Sequence, residues 1–234
     1  YEGPGSPWVL KDLDLEIPAG KITAVVGESG SGKTTLLKLL MGFYRPSDGS
    51  IMINGNKLEE ISVDSLRSST GVVMQEGYIF PDTILENIAP GADQPDMDRV
   101  ALAVRVASLG PLTDTLPAGL KTRVGQGGHG LSQGQKQRIL IARVVYKQPS
   151  LLLLDEATSS LDASNERLIV ENLAGFYAGR TVVIVAHRLS TVRHADMIVV
   201  LERGKVSESG THEELTRARG TYFKLIRDQL ELGM

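Results

Sequence analysis

The chain has 234 residues, of which 41% are hydrophobic and 23% are charged, and its formal net charge is −3. This balance is typical of a globular chain and argues against a nucleic-acid partner, because nucleic-acid binders usually carry a basic stripe. The absence of cysteine excludes disulfides and thiolate metal sites. The apolar runs are far shorter than the ~18 residues that a membrane span needs. Because the chain begins at Tyr1 without a methionine, we expect it to be a piece of a longer polypeptide.

The first predicted element is a strand that leads into a glycine-rich loop. The apolar run Ile22–Val26 precedes this loop and a helical pattern, Thr35–Met41, follows it. The loop has the pattern G-x-x-x-x-G-K-[ST] and reads Gly27-Glu28-Ser29-Gly30-Ser31-Gly32-Lys33-Thr34. Glycines let the backbone curl around phosphate oxygens and donate its N–H groups to them. Lys33 would then reach the β- and γ-phosphates and Thr34 would bind Mg²⁺, so the loop predicts nucleoside triphosphate binding.

Three further apolar runs also end in a polar residue. They are Gly71–Met74 before Gln75, Leu151–Leu154 before Asp155, and Thr181–Ala186 before His187. Continuous apolar runs separated by helical patterns predict a parallel sheet buried on both faces. Ligands bind such sheets at the carboxyl ends of the strands, so these polar residues should converge on the edge that holds the phosphate loop. The predicted fold class is α/β, a P-loop NTPase core with a mostly parallel sheet.

The pattern changes in the middle of the chain. Between residues 78 and 146, prolines punctuate short helical patterns such as Asp98–Leu109, and no clear strand intervenes. This predicts a helical subdomain inserted in the core of a single domain that spans residues 1–234. After it, Met197–Leu201 and Lys205–Ser209 predict a hairpin, and Glu213–Leu230 predicts one helix.

Two carboxylates follow the apolar run that begins at Leu151. A nucleotide hydrolase needs one carboxylate in the Mg²⁺ shell, which suits Asp155, and another that polarises the attacking water, which suits Glu156. The alternative is a strand that ends in a solvated acidic turn. The presence of Lys33 upstream favours the catalytic interpretation.

A serine and a glutamine mark the start of the predicted helix Lys136–Tyr146. Ser132 and Gln135 have the S-x-x-Q spacing of a capping box, which is a routine helix start. A serine at an exposed helix N-terminus is also suited to bind an anion. The residues alone leave both interpretations open.

Taken together, these motifs resemble the ATP-binding domain of ABC transporters, and the resemblance extends over the whole chain. Gly27–Thr34 resembles the Walker A motif, Leu151–Glu156 Walker B, Gln75 the Q-loop glutamine, Leu131–Gln135 the LSGGQ signature, Ser159–Asp162 the D-loop and His187 the switch histidine. The segments Gln75–Phe80, Thr83–Ile88 and Glu208–Leu215 resemble exporters. The resemblance also implies an N-terminal antiparallel β part.

The resemblance implies a mechanism that needs two copies. Two domains would meet head to tail, so that Ser132 and Gly134 of one approach the γ-phosphate held by Lys33 of the other. His187 would contact the γ-phosphate and position Glu156, whereas Gln75 would contact Mg²⁺ or the water. The implied contacts with ATP and Mg²⁺ are Tyr1, Gly27, Ser29, Gly30, Ser31, Gly32, Lys33, Thr34, Thr35, Gln75, Ser132, Gly134, Gln135, Asp155, Asp162 and His187.

Tyr1 lies 26 positions before Gly27, near where the resemblance places an aromatic ring that stacks on adenine; Trp8 is a competing candidate. Gln133 replaces the usual glycine of the signature, and we expect activity to survive because helical backbone does not require glycine. Gln126 replaces the glutamate that is usual in exporters before the signature, which changes the coupling segment.

The partners implied are a second copy and an exporter's transmembrane domain on the same polypeptide, at the cytoplasmic face of the inner membrane. Two alternatives stay open. One is a soluble ABC-type ATPase without a transport role, and the other is a weakly hydrolysing, nucleotide-dependent regulatory module. An ATPase assay separates the last from the others.

Overall fold

The structure is a computed structural model that describes residues 8–125, 127–158, 161, 163–186 and 189–231. The chain divides into two compact units. The first unit comprises residues 1–70 and 181–234, and the second comprises residues 71–180. Among the described residues, none of the helices combines the length and the apolar character that crossing a bilayer requires.

The described strands are β1 (Ile22–Val26), β2 (Met52–Ile53), β3 (Asn56–Lys57), β4 (Thr70–Val73), β5 (Leu151–Asp155), β6 (Thr181–Val185), β7 (Met197–Glu202) and β8 (Lys205–Gly210). Six of them form one sheet in the order β4-β5-β6-β1-β7-β8. In the first unit β1 pairs in parallel with β6 and with β7, and β7 pairs antiparallel with β8. The short antiparallel pair of β2 and β3 forms a separate sheet. The predicted α/β fold with a mostly parallel sheet and an antiparallel part is confirmed.

The described helices are α1 (Lys33–Leu40), α2 (Val63–Ser69), α3 (Ile84–Ile88), α4 (Met97–Val106), α5 (Gly110–Thr115), α6 (Gln133–Lys147), α7 (Ala163–Tyr177), α8 (Leu189–Val192), α9 (His212–Ala218) and α10 (Thr221–Glu231). Three of them, α3 to α5, fall within residues 78–146, and α6 ends one residue beyond this segment. The described part of this segment contains isolated bridges but no strand, in agreement with the helical pattern of the sequence. The limits of an inserted subdomain stay a prediction.

The core strands form where the sequence is continuously apolar. In β1, β5 and β6 the four residues after the first are all buried, as expected for strands covered on both faces. The β-branched side chains of β1 and β6 also fit the pleated surface of a sheet. Each of the four predicted core strands begins and ends within one residue of the observed strand.

The prediction of one helix over Glu213–Leu230 is wrong. The tail contains α9 and α10, and the chain breaks between them at Arg219, whose φ of 55° is left-handed. The carboxylate of Glu208 accepts hydrogen bonds from the amides of Thr221 and Tyr222, and it thereby caps the start of α10. This long-range cap stabilises a second helix start because it satisfies amides that a continuous helix would pair internally.

Candidate functional site

The phosphate loop connects β1 and α1 in the first unit. Two of its glycines are required by geometry. A Cβ on Gly27, whose φ is 151°, would overlap the main-chain oxygen of Leu201, and one on Gly32, whose φ is 105°, would lie 2.5 Å from a methyl of Leu10. The amide of Ser31 closes a turn by donating to the carbonyl of Glu28 at 3.2 Å. The loop therefore needs glycine because its backbone is left-handed and tightly packed.

The side chain of Lys33 is buried and folds back onto the loop. Its Nζ donates to the carbonyl oxygens of Gly27 at 2.9 Å and Glu28 at 2.8 Å. These two bonds place the ammonium charge inside the curve of the loop. The hydroxyl of Ser31 is also buried, and it has no hydrogen-bond partner among the described residues. A buried hydroxyl without a partner is costly, so a ligand atom at this position would be favoured.

Helix α1 begins without a side-chain cap. Its N-cap is Gly32, and its first turn contains no acidic residue. By contrast, the side chains of Ser62, Thr83, Asp96, Ser132 and Thr211 cap α2, α3, α4, α6 and α9. The first amides of a helix and its dipole attract an anion when no side chain satisfies them. Thr34 is exposed and Thr35 is half-buried in this first turn.

Two of the predicted polar residues meet in the second unit. The Nε2 atom of Gln75, after β4, donates to Oε2 of Glu156, after β5, at 3.3 Å. Glu156 has a left-handed φ of 49°, which is uncommon for a residue other than glycine. Asp155 is buried at the end of β5. This contact joins residues that follow β4 and β5, and the predicted convergence of Gln75, Asp155 and His187 on the phosphate loop stays a prediction.

The signature segment forms the start of α6. The Oγ of Ser132 accepts from the amide of Gln135 at 3.2 Å, and Oε1 of Gln135 accepts from the amide of Ser132 at 2.8 Å. The predicted capping box is therefore present. Gln133 is the first residue of the helix and is exposed. Because its backbone is helical, this position does not need glycine. Gly134 and Gln135 follow in the first turn.

A buried asparagine that the sequence analysis missed fixes the segment between Gln75 and α3. The Oδ1 of Asn87 accepts from the amide of Phe80 at 2.8 Å and from Arg143 at 3.0 Å. Its Nδ2 donates to the carbonyls of Phe80 and Thr83, both at 3.0 Å. The signal in the sequence was a polar residue inside the apolar pattern of α3.

Arg143 of α6 also holds this segment. Its Nε donates to the carbonyl of Asn87 at 2.8 Å, one terminal nitrogen donates to the carbonyl of Tyr78 at 3.1 Å, and its guanidinium lies 5.0 Å from the ring of Phe80. Burial lowers the pKa of Arg143, although a guanidinium keeps its charge in proteins. The rings of Tyr78 and Phe80 are exposed. The network therefore presents two aromatic rings on a fixed backbone.

Four predicted site residues lie outside the described residues: Tyr1, Gln126, Asp162 and His187. Their contacts stay predictions. Trp8, the competing candidate for adenine stacking, is described and is exposed.

The loop and the uncapped helix define a P-loop nucleotide-binding domain. The family model described as ABC transporter matches residues 10–159, so the chain belongs to the ABC transporter family. It is 45% identical over 230 residues to the ATP-dependent lipid A-core flippase of Cupriavidus pinatubonensis, covering 97% of this chain and 39% of the flippase. It is 48% identical over 222 residues to the mitochondrial potassium channel ATP-binding subunit of Mus musculus, covering 94% of this chain and 31% of that protein.

A solved structure gives the same result. The chain is similar to a bacterial Atm1-family ABC exporter with ATP bound, with a TM-score of 0.90 and 40% identity over 94% of this chain and 39% of the exporter. The chain thus spans about two fifths of the length of the flippase and of this exporter. The chain is an ABC transporter ATPase domain that is homologous to the ATP-binding domains of exporters, and the family and fold predicted from the motifs are confirmed.

Proposed function

We propose that this chain hydrolyses Mg²⁺·ATP as a head-to-tail dimer and that hydrolysis powers export through a transmembrane domain. The observation that carries the proposal is the phosphate loop Gly27–Thr34. It combines a buried ammonium, a buried Ser31 hydroxyl without a described partner and the uncapped start of α1. Triphosphate oxygens would be attracted by the ammonium charge and would accept hydrogen bonds from the Ser31 hydroxyl and from the first amides of α1. Ser29 and Gly30, which are exposed on the loop, and Thr35 of α1 would complete the contacts.

The residues available for the metal suit Mg²⁺. This ion prefers oxygen ligands, and it usually takes one or two carboxylates together with waters and substrate phosphates. No group of three or more acidic or histidine side chains suited to a metal occurs among the described residues. A site completed by phosphate oxygens needs no such group. Asp155, the hydroxyl of Thr34 and the amide oxygen of Gln75 would hold the ion, which would neutralise charge on the phosphates.

Glu156 would act as the general base. Its carboxylate would take the proton of the attacking water, which bonds to the γ-phosphorus while the bond to the leaving ADP oxygen breaks. The hydrogen bond from Gln75 and the left-handed backbone of Glu156 support this role, because both restrict the position of the carboxylate. His187 would contact the γ-phosphate beside it. His187 would act by positioning, since phosphoryl transfer depends mainly on geometry and charge.

The second copy would close the site with its signature segment. Ser132, Gly134 and Gln135 lie at the start of α6, where the helix dipole favours an anion. The capping box supports this role because it fixes Ser132 at an exposed helix end. Asp162 would lie at the same interface, and Tyr1 would stack on the adenine.

A membrane domain on the same polypeptide is the proposed partner for transport. The support is that the chain covers only 39% of the flippase and 39% of the Atm1-family exporter to which it is similar. The exposed rings of Tyr78 and Phe80 offer a surface for such a domain. The ATPase domain would then lie at the cytoplasmic face of the inner membrane. Sequencing the coding region upstream of Tyr1 tests this: spans of about 20 apolar residues are expected, and their absence would contradict it.

The catalytic proposal is tested with two variants and one matched control. We expect Glu156→Gln to reduce ATP hydrolysis by at least about 100-fold, the scale of general-base catalysis, while ATP still binds and the chain elutes as a dimer. Lys33→Ala should abolish nucleotide binding. Glu171→Gln makes the same substitution in an exposed ion pair with Arg167 on α7 and should hydrolyse ATP normally. Wild-type turnover by Glu156→Gln would overturn the base assignment, and a monomer under all nucleotide conditions would overturn the dimer.

A further inference from the structure

A cleft of about 360 Å³ lies in the second unit, where α4, α7 and the segment after α6 meet. This volume is within the range of small-molecule sites. The residues that line the cleft include none of those proposed to bind ATP or Mg²⁺. The cleft is therefore separate from the residues of the nucleotide site.

One wall of the cleft is apolar. Leu102 and Val106 are one helical turn apart on α4, so they lie on the same helix face. The ring of Phe176 on α7 also lines the cleft and is mostly buried. Together they offer an apolar surface to a ligand.

The charge of the lining is positive. Two of its residues are Arg105 and Arg180, and none of the described lining residues is acidic. Arg180 stacks at 4.1 Å on the ring of Phe176 and donates to the Gln148 side chain at 2.7 Å and to the Pro149 carbonyl at 3.2 Å, both of which are neutral. Arg105 is exposed at the cleft. Two guanidinium groups beside an apolar wall attract an anion and can hold it by charge-assisted hydrogen bonds.

The cleft also contains a glycine that the helix itself does not need. Gly175 lies within α7, although glycine is a poor helix former. Its φ is not left-handed, and a Cβ at this position would meet no atom within 4 Å. Neither the backbone nor packing thus requires glycine. The space above Gly175 belongs to the cleft, and a side chain there would fill it.

We propose that this cleft binds a small organic anion with a flat apolar body. The body lies over Gly175 against Leu102, Val106 and Phe176, and the anionic group faces Arg105. The ligand is an aromatic carboxylate, sulfonate or phosphate ester rather than a free inorganic ion, because the apolar wall contributes to binding only when a ligand has an apolar part.

The probe for the test is the fluorescent anion anilinonaphthalene sulfonate, titrated into the folded chain at saturating ADP so that the nucleotide site is occupied. Gly175→Leu fills the cleft, and Arg105→Gln removes the charge. Arg99→Gln is the matched control, because Arg99 is on the same helix, pairs with Asp96 at 3.3 Å and does not line the cleft. The neutral phenylnaphthylamine tests the need for the anionic group.

We expect one probe to bind per wild-type chain, Gly175→Leu to weaken binding at least tenfold, Arg105→Gln to weaken it about fivefold and Arg99→Gln to leave it unchanged. Phenylnaphthylamine should bind at least tenfold more weakly than the anion.

Gly175→Ala and Gly175→Leu should melt cooperatively at or above the wild-type temperature, because both residues are better helix formers than glycine and have space. Equal affinity of wild type and Gly175→Leu, or of the two probes, would overturn the proposal. If Gly175→Leu fails to fold, unchanged binding by Arg105→Gln overturns it instead.

Discussion

Replacing Asn87 with alanine should destabilise the second unit more than any surface substitution. The side chain of Asn87 is fully buried and makes four hydrogen bonds. Two of them hold both main-chain polar groups of Phe80, one goes to Thr83 and one comes from Arg143. Alanine lacks the side-chain amide, so all four hydrogen bonds are lost and no polar atom replaces it.

The loss in the free energy of unfolding depends on the kind of hydrogen bonds that are broken and on the access of water to their partners. A neutral hydrogen bond contributes about 1 kcal/mol net, and one to a charged group about 1.5–3 kcal/mol. Phe80 is exposed and Thr83 half-buried, so water can replace part of what their carbonyls lose. Arg143 keeps its bonds to the carbonyls of Asn87 and Tyr78. We therefore expect a loss of about 3 kcal/mol in the free energy of unfolding.

Urea unfolding followed by circular dichroism measures this loss. Asn56→Ala is the matched control, because Asn56 is exposed in β3 and, within the described part of the chain, its side chain bonds only to the carbonyl of Asn54, at 3.3 Å. The control should stay within about 0.5 kcal/mol of wild type. If Asn87→Ala behaves like the control, the network does not hold the segment, and the argument that it presents Tyr78 and Phe80 on a fixed backbone is wrong.

Three further predictions concern helix ends. Arg219→Gly should stabilise the chain by about 1 kcal/mol in a thermal melt, because Arg219 has a left-handed φ of 55° that costs a side chain strain; a lower melting temperature would contradict this. Ser132→Asn should keep the melting temperature, since asparagine is a good N-cap, but should lose ATP hydrolysis if the hydroxyl faces the partner's phosphate, so normal hydrolysis would refute that contact. Gln133→Gly should leave ATP hydrolysis within about threefold of wild type and lower stability by at most about 1 kcal/mol; a hundredfold rise in hydrolysis would show that the glutamine obstructs the site.

The strands were predictable because a strand that is buried on both faces needs a continuous apolar run, which is visible in the sequence. Ile22–Val26 is apolar except for the β-branched Thr23, which is itself buried, and no charged residue interrupts the run as it would in a strand exposed on one face. The capping box of Ser132 was predictable for a similar reason, because both partners lie within one turn of helix. The break in the tail was not predicted from periodicity, since the cap of α10 comes from Glu208, 13 residues before Thr221. The dipeptide Arg219–Gly220 was the one local hint of a break.

The features of the site also divide into those that the sequence predicts and those that it does not. The glycines of the phosphate loop adopt its backbone conformation within a few neighbouring residues, so the sequence pattern predicts that conformation. The bond between Gln75 and Glu156 joins residues 81 positions apart, and the network of Asn87 and Arg143 joins residues 56 positions apart. The first could be expected from a general rule about strand ends, which applies to any parallel sheet. The second follows from no such rule, because it depends on how α3 and α6 pack.

The two helix starts of the proposed site differ in what they leave unsatisfied. At α1 no side chain caps the helix and the buried hydroxyl of Ser31 has no described partner, so bound phosphate would satisfy groups that the chain itself leaves unpaired. At α6 the capping box already satisfies the amides of Ser132 and Gln135. A phosphate that reaches α6 from a second copy would therefore meet the dipole, the exposed hydroxyl and the remaining first-turn amides of Gln133 and Gly134, without the buried ammonium and the buried hydroxyl of the phosphate loop, a smaller contribution. In the proposed dimer, the phosphate loop would hold ATP firmly while α6 holds it weakly. Loss of the γ-phosphate would then separate the copies before it releases the nucleotide.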